Sequence, residues 1–141
     1  MTRYLLDTNI ISNAVKPRPS AALEAWMIER DDESLFTSAL NIAEIRQGIL
    51  LLPAGKKRRE LEKWFDGSAG PSAIFHERIL PFDERAAFAW ADLMVDGRTR
   101  GRPRNPLDMI VASVALVNDC TIVTDNERDF AELKVFNPMK P

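Results

Sequence analysis

Short apolar runs alternate along this chain with longer segments whose apolar residues recur every three or four positions. Arg3–Leu6 is a short run closed by polar residues, the pattern of a buried strand. A helical turn is expected over Ile10–Ala14, before Lys16-Pro17-Arg18-Pro19 breaks the chain. Ser20 is a suitable cap for a helix through Arg30, with Leu23, Trp26 and Met27 on one side. Ser34–Thr37 reads as a second strand. Ser38 caps a helix expected to reach about Leu52 and to stop at Pro53. Its apolar positions, Leu40 through Leu51, almost encircle it, as in a helix buried on all sides. Lys56–Phe65 then completes a helical hairpin.

Further on, Ser68–Ser72 reads as a loop and Ile74–Leu80 as a strand closed by Pro81. Asp83 caps a helix to about Met94, and an arginine-rich loop follows. Asn105 caps the helix Pro106–Asn118, with Pro106 at the first position, where a missing N–H costs nothing. Thr121–Thr124 and Lys134–Phe136 are the remaining strands. Strands alternating with helices predict an α/β fold whose central, mostly parallel sheet is covered on both faces. No repeat or linker divides residues 1–141, so a single domain is expected.

Composition narrows the class. An apolar content of 45% suits a globular core, and no segment approaches the roughly 18–20 apolar residues that span a membrane. The first apolar run meets Asp7 at once, unlike a secretory leader. A single cysteine, Cys120, precludes an internal disulfide and fits a reducing compartment, so a cytoplasmic location is expected. The net charge of −2 excludes a generally basic nucleic-acid binder. Charge is local, however. Lys56-Lys57-Arg58-Arg59 forms one cluster. Arg98, Arg100, Arg102 and Arg104, interrupted by Gly101 and Pro103, form another, with no evident core role. Contact with phosphate or a partner is expected there.

Acids and amides recur where strands end or helices turn apolar. Asp7, Thr8 and Asn9 follow the first strand. Glu44 lies with Asn41 and Gln47 in a polar notch of an apolar helix. Asp108 occupies a helix's first turn. Thr124, Asp125, Asn126 and Asp129 follow a late strand. In open α/β sheets ligands sit beyond the carboxyl ends of strands, where the strand order switches. Carboxylates gathered without a basic partner repel and raise one another's pKa, which a hard, oxygen-seeking cation such as Mg²⁺ or Mn²⁺ relieves. Plainer roles exist beside this one. Asp7, Asp125, Asn126 and Asp129 are turn formers, and Asp108 at the third helical position favours the helix dipole by roughly 0.3–1 kcal/mol. Other chemistries lack parts. No glycine-rich phosphate loop occurs, and one histidine, His76, gives neither a histidine zinc site nor a Ser-His-Asp triad.

Taken in order, Leu6-Asp7-Thr8-Asn9, Asn41-Ile42-Ala43-Glu44-Ile45, Pro106-Leu107-Asp108-Met109-Ile110-Val111-Ala112 and Thr124-Asp125-Asn126-Glu127-Arg128-Asp129-Phe130 resemble the PIN domain. More narrowly they resemble the VapC-type toxins of bacterial toxin–antitoxin pairs, as does the closing Val135-Phe136-Asn137-Pro138. The resemblance covers essentially the whole chain. It implies a three-layer α/β/α fold and Mg²⁺- or Mn²⁺-dependent endoribonuclease activity. By it, Asp7, Glu44 and Asp108 match the family's catalytic, metal-binding acids, and Thr8, Asn9 and Thr124 support them. Aligned on Thr124, the fourth acidic position is Asn126, an uncharged amide. Asp125 lies one place off and Asp129 one helical turn away, which leaves the three as alternatives for completing the site. The resemblance further implies an RNA substrate, a cognate antitoxin with its C-terminal segment in the acidic groove, and a homodimer through the Ser38–Phe65 hairpin region or apolar helix faces. The alternative is an inactive module of the same fold that only binds RNA or a partner. A phosphoacceptor receiver domain would need paired acids after the first strand, and Asp7 stands alone there.

Overall fold

The strand β1 (Arg3–Leu6) runs through the middle of a five-stranded parallel sheet because it is apolar on both faces. In this computed structural model, which describes residues 1–140, the chain continues through α1 (Thr8–Ala14), α2 (Ala21–Ile28), β2 (Leu35–Ser38), α3 (Ala39–Leu50) and α4 (Lys56–Asp66). It then forms α5 (Pro71–Ile74), β3 (Ile79–Leu80), α6 (Glu84–Thr99), α7 (Pro106–Val117), β4 (Cys120–Val123) and β5 (Val135–Phe136). The strand order is β3-β2-β1-β4-β5.

Alternation along the central strands divides the core. Leu5 of β1 and Ile122 of β4 turn to one face, against Ala86 of α6 and Met109 and Val114 of α7. Leu6 and Val123, one residue on, turn to the other face, against Ile10 of α1, Leu23 and Trp26 of α2, and Ile45 and Ile49 of α3. A one-residue slip in β1 would exchange these sets, so the pairing Leu5↔Ile122 and Leu6↔Val123 is strongly specified. The result is the three-layer α/β/α arrangement expected. Buried Thr37 ties β2 to the end of β1, its hydroxyl donating to the Leu6 carbonyl at 2.9 Å.

Several boundaries differ from expectation, each for a local reason. β2 and β4 lie one residue from the predicted ranges, which leaves Thr124 just past its strand. The segment expected as a strand from Ile74 begins as helix, because Gly70-Pro71 starts a helical turn with proline at its first position. Only Ile79–Leu80 pairs with β2. Helix α3 is not buried on all sides. Asn41, Ile45 and Ile49 form one inward stripe, while Leu51 just past its end is 77% exposed. Helix α6 runs on to Thr99. Gly101, at φ 70°, supplies the left-handed residue that ends it, with Gly101 N–H donating to the Arg98 carbonyl (3.0 Å) and Arg102 N–H to the Gly97 carbonyl (2.8 Å). Arg98 is therefore helical.

The inward stripe and the outward face of this core predict opposite mutational costs. Leu5→Ala, at a fully buried position, lowers stability by roughly 2–5 kcal/mol. Leu51→Ala changes it by about 0.5 kcal/mol or less. Urea denaturation checks both, with a shifted midpoint and an unchanged slope expected for Leu5→Ala.

Candidate active site

The chain leaves β1 toward β2 and β3 on one side and returns to β4 and β5 on the other. The strand order therefore switches between β1 and β4, the place where a parallel sheet opens a crevice at its carboxyl end. Asp7 follows β1 there and Thr124 follows β4, and Asp7 N–H extends the ladder to the Val123 carbonyl at 2.9 Å.

Asp7 is also the N-cap of α1, with extended backbone angles. Four donors surround its buried carboxylate. Oδ1 accepts from Thr8 N–H (2.9 Å) and Asn41 Nδ2 (3.0 Å). Oδ2 accepts from Asn9 Nδ2 (3.2 Å) and Thr124 Oγ1 (3.0 Å). Burial raises its pKa above the ordinary carboxylate value, and these hydrogen bonds only partly oppose the rise.

Asn41 is the residue that sequence reasoning passed over, noting it only as part of a polar notch. It lies at the third position of α3 and is fully buried. Its Oδ1 accepts from Ser38 N–H (3.3 Å) and Ser38 Oγ (2.6 Å), while its own N–H donates to that hydroxyl (3.2 Å), closing a capping box. Its Nδ2 reaches both Asp7 Oδ1 and Thr8 Oγ1 at 3.0 Å. The Thr8 hydroxyl in turn donates to Glu44 Oε1 at 3.0 Å. A serine followed three residues later by an amide was the available signal. It reads as a helix start, and its second use appears only when β1 stands alongside. Asn9 joins the two strand ends, bonding Thr124 Oγ1 (3.1 Å) and accepting from Asp125 N–H (3.2 Å).

Asp108 enters from the opposite layer, at the third position of α7. Its N–H and that of Leu107 donate to the Asn105 cap at 3.0 and 2.9 Å. Among the described residues its carboxylate has no hydrogen-bond or ion-pair partner. Its pKa is raised to about 6, by burial first and then by the charges of Asp129, Asp7 and Glu44. Burial likewise raises half-buried Glu44, with Asp7 adding and the Thr8 hydroxyl opposing. Asp7, Glu44 and Asp108 thus converge. Of the three alternatives for a fourth position, Asp129 presses its charge on Asp108 and Asp125 presses on Asp7. Asn126 contributes its backbone N–H to Thr124 Oγ1 (3.0 Å), and its side chain makes no hydrogen bond among the described residues.

The donors are all hard oxygens, the set that suits Mg²⁺ or Mn²⁺ rather than a thiolate- or imidazole-seeking metal. Among the described residues no three acidic, histidine or cysteine side chains already close on one point. That open arrangement still fits Mg²⁺, which keeps several waters and takes one or two carboxylates plus substrate phosphate. Crowded acids, none of them ion-paired among the described residues, are the fitting environment for such an ion.

The arginines are not free of structural roles, as the sequence suggested. Arg104 bonds the Leu93 carbonyl (2.8 Å) and Asp96 (3.0 Å). Arg100 pairs with Asp96 and Glu132, both at 3.0 Å, and Arg102 pairs with Glu132. Arg98 is exposed and unpaired among the described residues. Arg100, Arg102 and Arg104, but not Arg98, rim a cleft of about 330 Å³ that Asp108, Arg128 and Asp129 also line.

A family model described as PIN domain matches residues 4–135. The chain is 34% identical over 139 residues to VapC ribonuclease Y4jK of Sinorhizobium fredii, covering 97% of this chain and 98% of that protein. It is 36% identical over 136 residues to toxin FitB of Neisseria gonorrhoeae, covering 95% and 96%. A solved structure of FitAB bound to a DNA fragment superposes with a TM-score of 0.89 at 34% identity, covering 98% of this chain and 96% of that one.

The crowded acids set a pH signature. Asp7, Glu44 and Asp108 all have native pKa values above their ordinary ones, so the native state holds more protons than the unfolded chain as they titrate, for Asp108 between about pH 4 and 6. Their contribution to stability is therefore lost as pH rises through that window. In chelator, Asp108→Asn is expected to be more stable than wild type at pH 7, by about 1 kcal/mol after discounting for solvent screening of this half-exposed group. The gap closes below pH 4, and thermal unfolding of both proteins across pH checks it.

Proposed function

The chain belongs to the PIN-domain family, and on that premise we propose that it is a metal-dependent endoribonuclease, the toxin of a toxin–antitoxin pair. One observation carries the reading. Asp7, Glu44 and Asp108 crowd at the switch point of the sheet, Asp129 adds its charge to Asp108, and none of the four carboxylates is ion-paired among the described residues. Relatives named ribonuclease and toxin, matched over nearly their full length, support it.

In this reading Asp7 and Asp108 hold Mg²⁺ or Mn²⁺, with Glu44 directly or through water, and Asp129, Asp125 or Asn126 completes the surroundings. The bound ion supplies a Lewis acid for a phosphoryl oxygen and lowers the pKa of a bound water. The chain's own groups do the rest. Asn41, Asn9 and Thr124 fix both oxygens of Asp7, so its orientation is set before any ligand arrives. Thr8 holds one oxygen of Glu44 and leaves the other to orient or deprotonate the attacking water. Arg98, Arg100 and Arg102 hold the RNA backbone, while Arg104 stays anchored to Asp96 and the Leu93 carbonyl; unpaired bases in a loop provide the specificity.

The partner that silences the site is an antitoxin lying in the acidic groove. Outward apolar side chains such as Leu50 and Leu51 beside the α3–α4 hairpin, and Phe88 and Val95 on α6, suit a homodimer or that partner. Residues 1–141 act as a single domain in the cytoplasm. Among the described residues no helix is long and apolar enough to cross a membrane.

Cleavage of a pool of structured RNAs tests the proposal. Wild type is expected to cut with Mg²⁺ or Mn²⁺ and to stop in chelator. Asp7→Asn, with its fold verified by circular dichroism, loses about 100-fold or more in rate, and Asn41→Ala about 10–100-fold. Metal binding with no cleavage, and no toxicity on expression, would instead indicate an inactive binding module.

A further inference from the structure

Glu132 adopts φ 72°, in the left-handed region that a long side chain rarely enters. Such backbone persists where the surrounding structure has a use for it. Here the side chain collects arginines. Oε2 accepts from Arg100 Nη1 at 3.0 Å, Oε1 accepts from Arg102 Nη1, and Arg104 Nη2 lies 3.7 Å away.

The arginines arrive on a connection with little freedom. Gly101 ends α6 in the left-handed region, and the next residues fold back on the helix. At Gly97 an added Cβ would lie 2.9 Å from the Arg102 carbonyl oxygen and 3.0 Å from Arg104 Cγ. Only glycine permits so close a return. The guanidiniums of Arg100 and Arg102 are thereby held at the rim of the cleft that also meets Asp108 and Asp129. One carboxylate bridging two guanidiniums offers each an anionic oxygen, as the two free oxygens of a phosphodiester would. The Arg102 side chain is 77% exposed, and ion pairs so open to water are readily exchanged. Arg104, 13% exposed and anchored to Asp96, is not, and Arg100, 59% exposed, keeps Asp96 as a second partner at 3.0 Å.

We infer that Glu132 is an internal stand-in for a substrate phosphate. It closes Arg100 and Arg102 in the free protein and yields them to the RNA backbone as the strand enters toward Asp108. The inference rests on the ribonuclease reading. Glu132 thereby sets the threshold for substrate binding, because RNA must displace a carboxylate to reach the arginines. A Glu132 that merely pins the loop would have the opposite effect, since removing it would loosen the arginines and weaken binding.

The sign is measurable. A short, fluorescently labelled single-stranded RNA is titrated with the full chain in chelator, where no cleavage is expected, and anisotropy is followed across salt concentration. Glu132→Gln removes the charge. Glu132→Gly also relieves the left-handed backbone, which safeguards folding. Both variants are expected to bind about 3- to 10-fold more tightly than wild type. Their salt dependence should steepen by about 0.7 per phosphate newly contacted. Adding Arg102→Gln to Glu132→Gln should cancel most of the gain. If both variants bind RNA as wild type does, or more weakly, the stand-in role is overturned while RNA binding stands. If neither wild type nor variants bind RNA at all, the ribonuclease reading falls and this inference with it.

Discussion

The carboxylate of Asp7 is held inside the protein with no ion-pair partner among the described residues. It sits where two neighbouring parallel strands end side by side, and four donors from three segments are spent on it. Those donors fix α1 against β4 and α3 against β1. Removing the acid would leave Asn41, Asn9 and Thr124 with unmet hydrogen bonds, and removing the donors would leave a buried charge. Local choices along the chain answer to this one group: the cap of α1, the amide in the capping box of α3, and the threonine that follows β4.

Such an arrangement works against stability. Asp108 faces the same crevice with no partner among the described residues; burial first, and then three negative charges around it, lift its pKa to about 6. A fold selected only for stability would place a lysine or an apolar side chain there. The chain keeps basic side chains nearby but engaged elsewhere: Arg104 on Asp96, and Arg100 and Arg102 on Glu132. Negative potential is therefore concentrated at the strand ends and positive potential along the adjoining rim. Hydrolysis of a polyanion needs that separation, with a cation at the reacting phosphate and arginines along the neighbouring backbone.

Much of this was legible in the sequence because burial leaves local marks. Asp7 ends an apolar run, and Asp108 follows an Asn-Pro helix start, so their positions and the elements carrying them could be read directly. Glu44 stood out from apolar neighbours for the same reason, although α3 proved to bury only one stripe. What escaped depends on partners distant in sequence. Asn41 looks like a helix cap until β1 lies beside it. The arginines of the α6–α7 connection looked free because Glu132, which holds them, lies about 30 residues later. The end of α6 was misplaced for a local reason: Gly101 stops the helix only after Arg98 has joined it. Asp129 acts on Asp108 through its charge across space, which counting positions from Thr124 does not reveal.

Whether the acids at the strand ends gather a divalent cation is tested most directly by anomalous diffraction from crystals grown with Mn²⁺. One manganese peak bordered by Asp108 and Asp7, with Glu44 in direct or water-mediated reach, is the result predicted. A crevice without anomalous density at saturating Mn²⁺, or manganese only at exposed acids away from the strand ends such as Glu29 and Glu60, would contradict it.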